Sequence, residues 1–88
     1  METKFRSKFL KDVKKIKDAS LKSKIKELIV HVEESESVLQ LKNFKKLKGS
    51  DNAYRFKINE YRIGVHINGN TIEFDCFLHR KDIYKYFP

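Results

Sequence analysis

Arg55, Lys57, Arg62 and His66 stand at spacings that can gather them on one surface. Arg55 and Lys57 alternate with Tyr54, Phe56 and Ile58, while Arg62 and His66 alternate with Tyr61, Ile63, Val65 and Ile67. If each run is a strand, residues two apart share a face and the four basic side chains point the same way. Such a cluster suits phosphate, since Arg grips two oxygens at once and Lys acts as a point charge. The plainer reading is a solvated sheet face whose charges discourage aggregation. Opposed cations repel in either case, and Glu73 and Asp75 on the next run are placed to neutralise part of them.

A second cluster closes the chain, His79-Arg80-Lys81-Asp82-Ile83-Tyr84-Lys85-Tyr86-Phe87-Pro88. It offers a proton-transfer group in His79, more cations, and two Tyr rings able to stack on bases. The competing reading is a short terminal helix with Ile83, Tyr84 and Phe87 packed on the core, and the two readings coexist if only one Tyr turns inward. Other candidates are thinner. His31 stands among apolar helix positions and reads as structural. Cys76 alternates with Ile72, Phe74 and Leu78 and reads as a buried, inert thiol. Glu33, Glu34 and Glu36 read as a solvated helix end.

The elements that must position these residues follow from periodicity. Residues 2–7 suit a first strand. From Ser7, a reasonable N-cap, Phe9, Leu10, Val13 and Ile16 mark one helical face. Asp18-Ala19-Ser20 interrupts it. Leu21, Ile25, Leu28, Ile29 and Val32 then mark a second helix ending near Glu34. The short link predicts a helix hairpin. Residues 36–48 suit either a third helix or an irregular packed segment, and Gly49-Ser50-Asp51-Asn52 is a loop. Beyond Asn52 the period becomes two. The runs 54–58, 61–67 and 72–78, with Asn68-Gly69-Asn70 as a hairpin turn, predict three antiparallel strands whose apolar face the helices cover.

Composition limits the rest. Eighty-eight residues, 40% hydrophobic, suit a single domain over 1–88 with a small core. Net charge is +8, and residues 1–48 hold 14 Lys and Arg against 7 Asp and Glu. That surplus favours polyanionic partners, although lysines on exposed helix faces are also common. The longest apolar run, Leu28-Ile29-Val30, is far too short to span a membrane. One Cys and no apolar leader predict a cytoplasmic protein without disulfides. One Cys and three scattered His show no zinc-ligand spacing.

Taken in order, Phe9-Leu10-Lys11-Asp12-Val13-Lys14-Lys15-Ile16, Leu47-Lys48-Gly49, Tyr54-Arg55-Phe56-Lys57-Ile58, Tyr61-Arg62-Ile63 and His79-Arg80-Lys81-Asp82-Ile83-Tyr84 resemble the RelE/ParE superfamily of toxins from type II toxin–antitoxin systems. The resemblance covers nearly the whole chain. It implies an α+β fold in which an N-terminal strand, joined to the sheet at an edge, and a helix hairpin pack on an antiparallel sheet ending in a three-stranded meander. RelE-like members cut mRNA in the ribosomal A site without a metal or other cofactor. ParE-like members poison DNA gyrase, and a cognate antitoxin restrains both. The RelE-like pattern implies catalytic roles for Lys57, Arg62, His79, Arg80 and Tyr84, and RNA binding by Arg55, Lys57, Arg62, Arg80, Lys81 and Tyr84. The implied partners are an antitoxin and the ribosome with its A-site mRNA, not a membrane. A gyrase inhibitor and a non-catalytic member acting only with its antitoxin are the alternatives. Two departures stand out, the tight Asn59-Glu60 link in place of a Gly-containing turn and Arg in place of Lys at position 55. Arg does not readily serve as a base.

Overall fold

The computed structural model describes residues 1–88. Five strands form one sheet, β1 (Glu2–Phe5), β2 (Phe44–Lys46), β3 (Ala53–Ile58), β4 (Tyr61–Asn68) and β5 (Thr71–His79). Their spatial order is β1-β5-β4-β3-β2. β1 runs parallel to β5 at one edge, and the other neighbours are antiparallel. The predicted meander is therefore β3-β4-β5, and the sheet gains one strand at each side of it.

β2 lies inside the segment that the sequence left open. Val38–Gln40 forms a 3-10 turn and Phe44–Lys46 the strand. Three residues are too few to display a period, and only pairing with β3 makes them a strand.

Helices α1 (Ser7–Lys14) and α2 (Ala19–Glu34) cover one face of the sheet. Ser7 does not cap α1. Arg6 occupies that position, still extended, with its N–H donating to Phe74 O. Asp12 of α1 instead accepts from the Phe77 N–H at 3.1 Å, tying the helix to β5. Asp18 caps α2, accepting from the N–H groups of Ser20 and Leu21. These are two of the donors that a helix start leaves unpaired, which explains the break in periodicity there. Leu10 and His31, read as apolar-face and structural residues, are both exposed.

The main core lies between helices and sheet. Phe9, Val32, Phe56, Ile63, Val65, Ile72 and Phe74 are fully buried there. Each such side chain contributes about 1.5–3 kcal/mol. Phe74 stacks on Phe5 and lies tilted against Phe9, with ring centroids 5.2 and 5.4 Å away.

A β-bulge changes the reading of β5. Gly64 pairs with Cys76 but Val65 pairs with Phe74, leaving Asp75 as the extra residue. The alternation inverts across the bulge. Phe77 joins Phe74 in the main core, and Cys76 and Leu78 turn to the other face. Cys76 is buried as expected, but away from the helices. There it joins Leu47, Ala53, Ile83 and Phe87 in a second small core. The cover for that core is the C-terminal segment, α3 (Ile83–Tyr86) and Phe87. Both Tyr84 and Tyr86 point outward.

Candidate functional site

The face opposite the long helices carries the cations that the sequence singled out. Lys57 sits directly across from Arg62, and Arg55 across from Gly64. Opposed side chains on such a ladder lie roughly 5 Å apart at Cβ. β2 adds a residue that the sequence did not flag, since Lys45 pairs with Arg55. The signal that could have found it is a strand at 44–46. Lys45, Arg55, Lys57 and Arg62 thus form one patch across three strands.

The molecule's ion pairs are Arg6–Glu73, Arg6–Asp75, Lys8–Asp12, His66–Asp75 and Arg80–Glu60. None of them involves the four cations. Glu73 and Asp75, expected to neutralise the patch, are occupied by Arg6 and His66 at the far end of the strands.

Backbone carbonyls hold the two arginines instead. Arg62 Nη1 donates to Tyr61 O at 2.8 Å and to Asn59 O at 3.1 Å. Arg55 Nη1 donates to Asn43 O at 3.3 Å, and its buried Nε has no acceptor. A carbonyl orients a guanidinium without cancelling its charge, which a carboxylate would do. Asn43 and Asn59 both adopt left-handed backbone, with φ of 56° and 53°. Asn tolerates this conformation better than other non-glycine residues. The Asn59-Glu60 link therefore turns without a glycine and directs its carbonyl at Arg62. Lys24 Nζ also donates to Asn59 Oδ1 at 3.0 Å.

The C-terminal residues divide. His79 pairs with Tyr61, whose ring stacks on Phe77 on the helix side of the sheet. His79 therefore faces away from Arg62 and Lys57. Its ring meets the Tyr61 edge, and its Nδ1 accepts from the Lys81 N–H at 3.1 Å. Arg80 is bound to the β3–β4 turn, with its N–H on Glu60 O at 2.8 Å and its Nε 2.9 Å from a Glu60 carboxylate oxygen. Lys81 is exposed. Tyr84 is 65% exposed and lines a groove with Lys45, Lys46, Leu47 and Lys48.

His66, first grouped with the cations, belongs to another cluster. Its Nδ1 meets Asp75, and its ring lies edge-on to Phe87 at 5.2 Å. His66, Glu73 and Asp75 bring potential metal-ligand atoms within 4.8 Å of one another, which sequence spacing did not show. Arg6 Nε lies 3.1 Å from each carboxylate, so an internal cation already balances them. Burial pushes the Asp75 carboxyl above its ordinary pKa, against the pull of His66 and Arg6. Burial likewise pushes the Cys76 thiol up to about 11, which makes it unreactive at neutral pH. No helix is long and apolar enough to cross a membrane.

Comparison with known proteins gives a consistent picture. Residues 3–84 match the family model described as the ParE toxin of the type II toxin–antitoxin system parDE. The chain is 43% identical over 89 residues to Toxin RelE3 of Methanocaldococcus jannaschii, covering both chains in full. The toxin in the RelB–RelE antitoxin–toxin complex from Methanococcus jannaschii superposes with a TM-score of 0.81 at 43% identity, covering 97% of this chain and 99% of that one. The RelE–RelB complex from Pyrococcus horikoshii gives 0.73 at 17% identity, with 90% and 93% covered, a likeness of fold alone.

Proposed function

The chain belongs to the RelE/ParE superfamily of type II toxins, and from that premise we propose that it is a ribosome-dependent mRNA endoribonuclease restrained by a RelB-like antitoxin. The observation that carries this reading is the patch of Arg55, Lys57 and Arg62, oriented by carbonyls and paired with no acid. Like charges held together cost stability, and a phosphate removes that cost.

The reaction that fits is transesterification. An RNA 2′-oxygen attacks the adjacent phosphorus and the bond to the 5′-oxygen breaks. The products are a 2′,3′-cyclic phosphate and a free 5′-hydroxyl. Arg62 and Arg55 stabilise the charge that accumulates on the phosphorane. Lys57 receives the 2′-hydroxyl proton. It stands directly across from Arg62, whereas His79 lies on the other side of the sheet, and this geometry favours Lys57 as the base. Arg80, bound to the turn that precedes Arg62, hydrogen-bonds the leaving 5′-oxygen, which takes its proton from solvent. Tyr84 stacks on a base, and exposed Lys81 adds charge beside it. The fixed cations supply the neutralisation asked of a metal in other nucleases.

Ribosome dependence has a physical basis. A surface without a strong general base gains most when its substrate is delivered in line for attack, and the A site supplies that orientation. Net charge of +8 favours docking to ribosomal RNA and makes it sensitive to salt. The reading places the protein in the cytoplasm with its ribosomes.

The family model's ParE description favours a second reading, inhibition of DNA gyrase. Inducing the protein in a sensitive host and mapping mRNA 5′ ends separates the two. The nuclease gives breaks confined to translated frames with a bias in codon position. Arrested growth with intact mRNA and DNA-cleavage complexes would establish the gyrase reading. Normal growth with intact mRNA would leave a member that acts only with its antitoxin.

A further inference from the structure

We propose that Glu60 is a positioning residue, which aims the Arg80 guanidinium at the leaving 5′-oxygen. This rests on the nuclease reading and deepens it, since it gives a carboxylate a part in the reaction.

The register of β4 and β5 brings the two residues together. Tyr61 pairs with His79, and Arg62 with Leu78. Continued one step beyond Tyr61 and His79, the same register sets Glu60 opposite Arg80. The Arg80 N–H donates to Glu60 O at 2.8 Å and closes that step. Residues two apart share a face, so Glu60 and Arg80 lie on the side of the sheet that carries Arg62.

The side chains meet as well. Arg80 Nε lies 2.9 Å from Glu60 Oε2, with the two side chains 57% and 61% exposed. An ion pair so open to water adds little to stability, and its effect falls on where Arg80 points. A free arginine samples many rotamers, and fixing one costs entropy. Here the backbone bond fixes the root of the side chain and the carboxylate fixes its Nε. The Nη groups remain to meet an anion.

One turn thus orients two cations by different means. The Asn59 carbonyl accepts from Arg62 Nη1 at 3.1 Å, and the Glu60 carboxylate pairs with Arg80. The carbonyl leaves Arg62 its full charge for the phosphorane. The carboxylate offsets the charge of Arg80, so Arg80 holds a ground-state phosphate less firmly. It still donates a directed hydrogen bond to the oxygen on which charge develops as the bond breaks. An interaction made mainly in the transition state raises the rate rather than the affinity.

The test measures single-turnover cleavage on ribosomes programmed with an A-site mRNA. The scissile linkage is either natural or carries sulfur in place of the bridging 5′-oxygen. With sulfur, the 2′-oxygen attacks phosphorus, the P–S bond breaks and its electron pair leaves on sulfur as a thiolate. Thiols ionise readily, so that departure needs no hydrogen bond from Arg80. Glu60→Ala keeps the Glu60 carbonyl and removes the carboxylate. Circular dichroism and urea unfolding check that it folds as the wild type does. At saturating toxin it should cut the natural linkage about tenfold more slowly, the scale of a lost charge-assisted contact. The toxin concentration for half-maximal rate should stay the same or fall. On the sulfur linkage Glu60→Ala and Arg80→Ala should both match the wild type, while Arg62→Ala stays slow on both linkages. Glu60→Ala should add no further loss to Arg80→Ala.

Equal slowing of Glu60→Ala on both linkages would mean that Glu60 supports the turn or the phosphorane, and would overturn the assignment. So would a wild-type rate on the natural linkage, or a loss that persists in the Arg80→Ala background. Each of these leaves the nuclease reading intact. A wild type that cuts nothing on the ribosome would end the nuclease reading and the role of Glu60 with it.

Discussion

The two faces of the sheet share the same strands and solve opposite problems. On the helix side, Phe9, Phe56, Ile63, Ile72 and Phe74 form one dry, aromatic-rich layer. On the far side, the C-terminal segment seals only part of the surface, over Leu47, Ala53 and Cys76. Beside it, Arg55, Lys57 and Arg62 stand unpaired by any acid. One face stabilises the fold through burial. The other concentrates charge that weakens the free protein and is useful only to an anion. Under the proposed function, stability and activity are thus separated by the thickness of one sheet, and substitutions on the two sides should fail in different ways.

The largest effect is expected on the helix side. Phe74→Ala empties a fully buried site packed against the Phe5 and Phe9 rings and should cost about 3–5 kcal/mol in urea unfolding. That is much of the roughly 4–13 kcal/mol available to a chain of this length. Arg62→Ala is the matched experiment across the sheet. It should lower cleavage on the ribosome by about 10²–10³, or about 2.7–4 kcal/mol in the barrier, while the unfolding midpoint stays within the narrow range of surface variants. A folded Arg62→Ala protein cutting at the wild-type rate would end the assignment of chemistry to the far face.

The helix side was also the legible side. Helical and strand periods located α1, α2 and the three central strands, because burying one face imposes a repeat on the sequence. The far face was legible where its strands keep a strict alternation, as at Arg55, Lys57 and Arg62. It was illegible where contacts are long-range. β2 is three residues of no visible period, so Lys45 went unnoticed beside Arg55. The bulge at Asp75 inverted β5, which moved Cys76 off the helix side and Phe77 onto it. His79 was grouped with the cations because it is near them in sequence, yet strand parity turns it to the helix side. The positions of Asn43 and Asn59 under the two arginines depend on left-handed φ values, which asparagine permits but does not announce.

Gly64 is the point where the sealed and charged halves of the far face meet, and it gives the next effect in size. A Cβ there would lie 2.8 Å from Cys76 Sγ and from two atoms of the Phe87 ring. Gly64→Ala should therefore lift the C-terminal segment and cost about 1–3 kcal/mol, as overpacking does. If the segment positions Tyr84, cleavage should fall in the same variant although Arg55, Lys57 and Arg62 are untouched. Cys76 reports the lifting directly. Its thiol should react with a disulfide reagent much faster in Gly64→Ala than in the wild type, where burial and a pKa of about 11 protect it. Unchanged reactivity and activity would mean that the ring moves aside without releasing the segment.

The smallest effect is a sign rather than a size, and it concerns the bulge that divides β5. The Asp75 side chain is 8% exposed, and burial raises its pKa despite His66 and Arg6 nearby. The folded protein then holds the Asp75 proton more tightly than the unfolded chain does. Its contribution to stability is complete below the unfolded value of about 3.9 and is lost as pH rises through the folded pKa. Asn keeps the shape of the side chain and has no charge to bury. The stability of Asp75→Asn relative to wild type should therefore improve from about pH 4 upward until Asp75 has fully ionised, and then level off. Urea unfolding of both proteins across that range measures the trend. A variant that instead loses ground as pH rises would mean that the pairs with His66 and Arg6 outweigh burial. The bulge would then be held by its charges, and the far face would owe part of its stability to electrostatics as well as to the small core beneath the C-terminal segment.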